Sequence, residues 1–246
     1  MRTFGLIGYP LSSSFSQKYF NEKFARENIS DCEFKNFPIE NIEEFPSLIK
    51  NNPTLCGLSI TIPHKQSVMK YLNVIDDETA KEIGAVNCII RRQMAGYNTD
   101  VFGFEQSLKP LLKHHHNKAL VLGTGGASKA IQYVLRKLKI DYLLVSRTKN
   151  EEQGTKILYS DLNKEIIFSH SLIINTTPLG MFPDINYCAD IPYEFLSSKH
   201  LLYDLNYNPA ETLFLKKGKE RRTEIKNGME MLHLQAEKAW EIWMSQ

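Results

Sequence analysis

One segment near the middle of the chain constrains the fold more than any other. Residues 119–122 (Ala-Leu-Val-Leu) form a short apolar run typical of a buried strand, and they lead directly into a glycine-rich turn at residues 123–127. Behind this turn, apolar residues recur at helical spacing from residue 129 to residue 139. A buried strand, a glycine turn and a helix in this order predict a doubly wound α/β unit with right-handed crossovers.

The same glycines also predict a ligand. Gly123 permits a tight turn, and Gly125 lets the backbone approach a pyrophosphate at the positive end of the following helix. The usual G-x-G-x-x-G pattern is incomplete because its sixth position is Ser128. A purely structural turn is the alternative, but the strand before the turn and the helix after it favour dinucleotide binding.

The end of the next strand indicates which dinucleotide binds. An NAD site uses Asp or Glu about 20 residues after the glycines to hold the ribose 2′-hydroxyl. Here residues 145–149 read Val-Ser-Arg-Thr-Lys and contain no acid. The guanidinium of Arg147 is shaped to hold a 2′-phosphate through paired hydrogen bonds. An exposed arginine at a strand end is the alternative, and we predict NADP as the cofactor.

Similar alternations of strand and helix run along the whole chain and predict an α/β fold of two domains. The first domain covers residues 1–100 and contains a hairpin around Arg92. The second, residues 101–228, is a Rossmann-like doubly wound domain. A closing amphipathic helix, residues 229–246, carries Trp240 and Trp243 on one apolar stripe and is expected to pack back on the first domain.

Composition excludes several classes of protein. The chain is 42% hydrophobic and 24% charged, which excludes a disordered protein. A net charge of +2 is too small to predict binding to nucleic acid or to an anionic membrane. No run approaches the roughly 20 apolar residues of a membrane span. The four scattered cysteines form no C-x-x-C pair, so we expect free thiols and a cytoplasmic protein.

Two conspicuous clusters are interpreted as ordinary surface. Adjacent His114, His115 and His116 could suggest a metal site, but in a polar connection before a strand they are expected to be solvated. The basic run at residues 216–222 could suggest nucleic acid, but its place after an apolar segment favours a helix end and an exposed loop. We therefore expect neither a metal nor a nucleic-acid partner.

Lys65 and Asp100 are candidates for acid–base chemistry. Lys65 follows the strand-like run that ends at Ile62, and Asp100 follows the predicted hairpin. Interconversion of a hydroxyl and a ketone by hydride transfer needs a group that exchanges the hydroxyl proton, and a lysine near a carboxylate can do this. The two residues are far apart in the sequence, and each alone is more often a solvated surface charge.

Nine motifs, in order from residue 5 to about residue 236, carry a resemblance to one enzyme family. They read G-x-P and Ser-Phe-Ser within residues 8–16, SITIPHK at 59–65, IGAVN at 83–87, GYNTDVFGF at 96–104, GTGGA at 123–127, SRT at 146–148, NTTPLGM at 175–181, DLNYNP at 204–209 and NGMEML at 227–232. In these motifs the chain resembles the shikimate dehydrogenase family.

The resemblance implies a reversible, NADPH-dependent reduction of 3-dehydroshikimate to shikimate in aromatic amino acid (chorismate) biosynthesis. It implies that the N-terminal domain binds substrate and that Lys65 and Asp100 are the catalytic pair, with Lys65 exchanging the proton of the reacting hydroxyl. The implied substrate-binding residues are Ser14, Ser16, Thr61, Lys65, Asn87, Asp100, Tyr207 and Gln235. The implied NADP-binding residues are Gly123, Thr124, Gly125, Gly126, Ala127, Ser146, Arg147, Thr148, Leu205 and Gly228.

The chain departs from the family pattern at five positions. Ser13, Gln17, Ser59, Cys88 and Ser146 stand where the family usually has His, Pro, Asn, Thr and Asn. Two alternatives accompany the main prediction: a quinate or mixed quinate/shikimate dehydrogenase that uses NAD, and a non-catalytic NADP-binding regulatory protein. In each case the partner is a small molecule, and the chain would act as a monomer or a homodimer.

Overall fold

Strands and helices alternate through the chain in a computed structural model that describes residues 1–11, 15–75, 78–148 and 156–245. The strands are β1 (Arg2–Gly8), β2 (Cys32–Pro38), β3 (Leu55–Ile60), β4 (Val74–Ile75), β5 (Cys88–Ile90), β6 (Ala95–Tyr97), β7 (Lys118–Leu122), β8 (Asp141–Ser146), β9 (Lys156–Leu158), β10 (Leu172–Asn175), β11 (Leu201–Asp204) and β12 (Glu224–Lys226). The helices are α1 (Phe15–Arg26), α2 (Phe45–Asn51), α3 (Glu78–Ile83), α4 (Thr99–Leu108), α5 (Gly126–Lys137), α6 (Lys164–Ser169), α7 (Leu213–Glu220) and α8 (Met229–Met244).

The described residues divide into two compact units. One contains Met1–Thr99 and the end of the chain from Gln235 onwards, and the other contains Asp100–Leu234. The sequence places the divisions after residues 100 and 228, so the second predicted division falls at the start of α8, before the structural one.

A mixed sheet forms the first unit. Within the described residues its strand order is β2-β1-β3-β5-β6-β4. Strand β1 pairs in parallel with β2 and β3, whereas β5 is antiparallel to both β3 and β6. The antiparallel β5–β6 pair is the hairpin that the sequence predicts around Arg92. Because β5 runs opposite to β3, the residues just before β5 lie beside the end of β3.

The core of the first unit includes the C-terminal helix. Trp243 on α8 stacks on Phe4 of β1 with ring centroids 5.1 Å apart, and its indole Nε1 donates to the carbonyl of Ile89 at 3.2 Å. Gly57 on β3 leaves room for this indole, because a Cβ at that position would overlap the ring. The apolar stripe of α8 is therefore part of the core, as the sequence predicts.

A parallel sheet forms the second unit and confirms the predicted doubly wound fold. Its order is β12-β11-β10-β7-β8-β9 among the described strands, and each neighbouring pair is parallel. The chain moves from β7 to β8 on one side and later to β10 on the other, so β7 marks the switch point at which ligands bind in such folds. The sequence does not predict β9 and β12, which are edge strands of three half-buried residues each.

The prediction that all three adjacent histidines are solvated is wrong for His116. This side chain is 4% exposed, accepts a hydrogen bond from the backbone N–H of Lys113 at 3.1 Å, and has its Nε2 3.3 Å from the carbonyl of Lys199. Burial lowers the pKa of His116. Two backbone contacts thus satisfy both ring nitrogens and allow the imidazole to be buried.

The other surface interpretations have simpler outcomes. The basic run at 216–222 covers the last turns of α7 and the exposed turn that follows, as predicted. Across the described residues, no group of three or more His, Cys, Asp or Glu side chains is arranged to hold a metal ion. None of the helices in that part of the chain combines the length and the apolar character that a membrane span requires.

Trp243→Ala should lower the free energy of unfolding by about 3–5 kcal/mol, the range for removing a buried aromatic ring. The substitution leaves a cavity beside Gly57 and removes the donor to Ile89. Urea denaturation followed by circular dichroism measures the change. Trp243→Phe, which keeps a ring against Phe4, is the matched control and should lose less than half as much. A loss below about 1 kcal/mol for the alanine variant would contradict a core role for α8.

Candidate functional site

The turn after β7 has a backbone shape that suits glycine. Gly123 has φ +104°, and a Cβ there would lie 2.8 Å from Oγ1 of Thr176. Gly125 is the N-cap of α5 and supplies no capping side chain. A Cβ built at Gly125 or Gly126 meets no described atom within 4 Å. The start of α5 is therefore open beside these two glycines, and its uncapped N–H groups suit a phosphate group.

A cavity of about 630 Å³ opens over this edge of the sheet, between the loops that follow β7, β8 and β10. Its volume lies within the roughly 300–1,000 Å³ of ligand sites. Six of the predicted cofactor residues line it: Gly123, Thr124, Gly125, Ser146, Arg147 and Thr148. The other four lie outside this wall: Gly126 and Ala127 begin α5, and Gly228 packs so closely on the backbone of Leu205 that a Cβ would overlap it.

Ser146 shapes the loop that carries Arg147, the residue predicted to bind the 2′-phosphate. Its Oγ donates to the carbonyl of Thr148 at 3.0 Å and lies 3.2 Å from the backbone N–H of Thr148. This small turn leaves Arg147 exposed at the rim of the cavity. Tyr159 stands on the same wall, and burial raises its pKa to about 12, against the opposite effect of the Arg147 charge.

One wall of the cavity was not assigned a binding role from the sequence. Residues 176–179, directly after β10, line the cavity together with Val145 and Tyr159. The Thr176 hydroxyl donates to the carbonyl of Leu122 at 2.7 Å, which ties this wall to the end of β7. The sequence signal that could have found this wall is the family motif at 175–181. It follows a buried strand, and such a strand could pair beside β7.

A buried carboxylate lies behind this wall. Asp204, the last residue of β11, is 0% exposed. Its Oδ2 accepts from the Thr212 hydroxyl at 2.5 Å, and its Oδ1 accepts from Nδ2 of Asn175 and from the backbone N–H of Asn206, each at 3.0 Å. Burial raises the pKa of Asp204 to about 6, against the lowering effect of these donors.

In the first unit, one side-chain and one backbone hydrogen bond hold the loop that carries Lys65. The neighbouring His64 is buried, and its Nε2 lies 2.8 Å from the carbonyl of Ile39. The backbone N–H of Val86 donates to the carbonyl of Lys65 at 2.8 Å. The loop after β3 is therefore fastened on both sides, and Lys65 lies beside the segment that leads into β5.

Asn87 links this segment to the start of α4. Its Oδ1 accepts from the backbone N–H of Thr99 at 2.7 Å, and its Nδ2 donates to the Thr99 hydroxyl at 3.0 Å. The Thr99 hydroxyl also lies 3.4 Å from Oε1 of Gln235, and Asp100 is the next residue in α4. The carbonyl of Asn87 accepts from Ile60, the residue before Thr61, at 2.8 Å.

Short contacts at the end of β3 thus link the segments that carry Lys65, Asn87 and Gln235, while Thr61 and Asp100 are the chain neighbours of Ile60 and Thr99. Ser16 lies in the first turn of α1, while Ser14 lies outside the described residues. Tyr207 belongs to the second unit, where burial raises its pKa.

Comparison with known proteins identifies the family. Residues 6–89 match the model of the shikimate dehydrogenase substrate binding domain. A shikimate dehydrogenase (NADP(+)) from Clostridium beijerinckii is 40% identical over 99% of this chain and 92% of its own length. The chain belongs to the shikimate dehydrogenase family.

Two further members of the shikimate dehydrogenase family match over nearly the whole chain. The shikimate dehydrogenase (NADP(+)) of Methanococcus vannielii is 37% identical over 97% of this chain and 90% of the relative. A crystal structure of shikimate 5-dehydrogenase from Thermus thermophilus in complex with NADP(H) and shikimate is 27% identical, with a TM-score of 0.85 over 100% of this chain and 94% of that one. The family prediction made from the nine motifs is confirmed.

Arg147→Ala should weaken NADP binding by about 1.5–3 kcal/mol, the value of a hydrogen bond to a charged group, which is roughly a 10- to 150-fold rise in Kd. NAD binding should change little, because NAD lacks the 2′-phosphate. Isothermal titration calorimetry with both dinucleotides measures the two effects. Arg147→Lys keeps the charge without the paired hydrogen bonds, so its Kd for NADP should lie between those of the natural protein and Arg147→Ala. Equal losses for NADP and NAD would contradict a phosphate contact.

Asp204 should make the folded state less stable as the pH rises. Its pKa of about 6 lies above the ordinary 3.8, so the folded state binds more protons than the unfolded state between these values. The stability of Asp204→Asn relative to the natural protein should therefore grow by about 2 kcal/mol between pH ~4 and pH ~7. Urea denaturation across this range measures the difference, and a difference independent of pH would contradict the assignment.

Proposed function

We propose that this chain catalyses the reversible, NADPH-dependent reduction of 3-dehydroshikimate to shikimate in aromatic amino acid biosynthesis. The observation that carries the proposal is that the loop after β3, which carries Lys65, is hydrogen-bonded to the segment of Asn87, and Asn87 in turn bonds to the start of α4. The same chain also has a glycine turn and Arg147 on one cavity. Relatives that carry the name shikimate dehydrogenase (NADP(+)) support it. A purely regulatory protein would have no use for Lys65 and Asp100.

The residues around the cavity fit NADP. The N–H groups at the start of α5 would bind the pyrophosphate, and Arg147 after β8 would bind the 2′-phosphate. Residues 176–179, after β10 on the opposite side of β7, would then border the nicotinamide half. NADPH, when bound, supplies the hydride that the substrate carbonyl carbon accepts.

Lys65 and Asp100 act on the proton that accompanies the hydride. As the carbonyl becomes a hydroxyl, its oxygen needs a proton, and the Lys65 ammonium donates it. In the reverse direction the Lys65 amine accepts this proton from the shikimate hydroxyl. The Asp100 carboxylate accepts a hydrogen bond from a substrate hydroxyl and balances the lysine charge.

The remaining residues bind a small polyhydroxylated acid. Ser14 and Ser16 would donate hydroxyl hydrogen bonds to its carboxylate. Short donors and acceptors would surround its ring hydroxyls; these are Thr61, Asn87, Tyr207 and Gln235. We further propose a cytoplasmic location, because all four cysteines are free thiols. All the proposed catalytic residues come from one chain, so a monomer or a homodimer would serve equally.

The decisive experiment follows the absorbance of NADPH with the purified protein. Shikimate with NADP should be the best substrate pair, and quinate or NAD should be used more slowly. Equal turnover of quinate with NAD would favour the quinate dehydrogenase alternative. Tight binding of NADP without any oxidation of shikimate would favour a regulatory protein.

Lys65→Ala should lower kcat by about 10²- to 10⁴-fold, the usual contribution of a positioned acid–base group. The Kd for NADP should stay unchanged, because Lys65 lies outside the cofactor cavity. Lys70→Ala is the matched control, since Lys70 is exposed and pairs with the surface residue Glu43 at 3.0 Å; it should keep the natural kcat. An unaltered kcat in the Lys65 variant would remove this residue from the mechanism.

A further inference from the structure

The buried carboxylate of Asp204 takes no part in phosphate binding or in proton transfer as proposed above. It is 0% exposed, and so are Asn175 and Thr212, two of the residues that donate to it. Burial of an ionisable group is unfavourable unless the group is well hydrogen-bonded. An apolar residue would fill this space without that cost, so the carboxylate needs a separate explanation.

The first explanation lies in Asn175. Its Nδ2 donates to Asp204, so its Oδ1 must face the other way. That Oδ1 accepts from the backbone N–H of Thr177 at 3.0 Å and from the Thr177 hydroxyl at 2.7 Å. Asp204 therefore sets the orientation of one amide, and this amide holds the backbone of a residue on the cavity wall.

A second path of hydrogen bonds from Asp204 runs through Asn206. Its backbone N–H donates to Asp204, and its side-chain Nδ2 donates to the carbonyls of Thr177 at 3.0 Å and Leu179 at 3.1 Å. Both paths of hydrogen bonds thus start at the Asp204 carboxylate, and together they end on residues 177 and 179. These two residues line the cavity, whereas Asp204, Asn175 and Asn206 stand behind it.

The sheet order indicates which part of the dinucleotide meets this wall. Arg147 follows β8 on one side of β7, and residues 176–179 follow β10 on the other side. With the 2′-phosphate at Arg147 and the pyrophosphate at the glycine turn, the nicotinamide half extends toward β10. This step rests on the proposed function.

We propose that Asp204 is a positioning residue for the nicotinamide half of the cofactor. Through Asn175 and Asn206, its carboxylate holds the wall at residues 177–179 in the shape that binds this half. Asp204 itself touches neither the cofactor nor the substrate.

The test compares a whole cofactor with a fragment in Asp204→Ala. Isothermal titration calorimetry should show the Kd for NADP rising about 10-fold or more, the scale expected when buried hydrogen bonds that hold a binding wall are lost. The Kd for NAD should rise by the same factor. The Kd for adenosine 2′,5′-bisphosphate, which carries the 2′-phosphate but no nicotinamide, should stay unchanged. Arg147→Ala should give a different pattern: it weakens binding of both NADP and the fragment, and it changes NAD binding little.

Two more variants separate positioning from folding. Asp204→Asn keeps one oxygen for Asn175 and Asn206 and offers an N–H₂ group to the Thr212 hydroxyl, so it should restore the affinity for NADP. Asn206→Ala keeps the Asp204 carboxylate and its bonds to Asn175, Thr212 and the backbone of residue 206, and it removes the side-chain contacts to residues 177 and 179. It should weaken NADP without weakening the fragment, and it serves as the test where Asp204→Ala does not fold.

The proposal is overturned by unchanged NADP affinity in both the Asp204→Ala and Asn206→Ala variants. Equal weakening of NADP and of the fragment also overturns it, because that pattern indicates general loss of structure. Failure of the natural protein to oxidise shikimate would contradict the proposed function instead. The binding comparison between NADP and its fragment would still decide the role of Asp204.

Discussion

The backbone of a buried strand must find hydrogen-bond partners, and in both units most of this pairing is parallel. Loops that follow parallel strands emerge at the same edge of a sheet. The glycine turn, Arg147 and residues 176–179 therefore reach one cavity although they come from three separate segments. In the first unit, β5 pairs antiparallel with β3, and this pairing places Asn87, the residue before β5, beside the end of β3.

Each unit secures its edge with a buried polar side chain. Asn87 holds the start of α4 through Thr99, and Asp204 holds the cavity wall through Asn175 and Asn206. Such groups are expensive to bury and are tolerated because their hydrogen-bonding capacity is met. They also leave little freedom to the backbone they hold. The apolar core stabilises the sheets, while these polar contacts give the sites their shape.

How far the site could be predicted depended on how local each signal was. The glycine turn and Arg147 were found because a strand, a turn and a helix lie together in the sequence. The wall at residues 176–179 was missed because only the sheet order places β10 beside β7. The prediction for His116 was wrong because one of its partners, Lys199, lies far away in the chain. The proposed pairing of Lys65 with Asp100 rests on the family motifs and not on the residues alone.

The amino-acid sequence by itself determined the types of most elements, the glycine turn after β7, the absence of an acid at residues 145–149 and the family. These features depend on neighbouring residues, whose periodicity and spacing can be read directly. Tertiary structure alone decided that Val86 bonds to Lys65, that Asn87 bonds to Thr99 and that Asp204 stands behind the cavity. Those contacts join segments whose meeting depends on strand order and register, and many orders are compatible with the same local pattern.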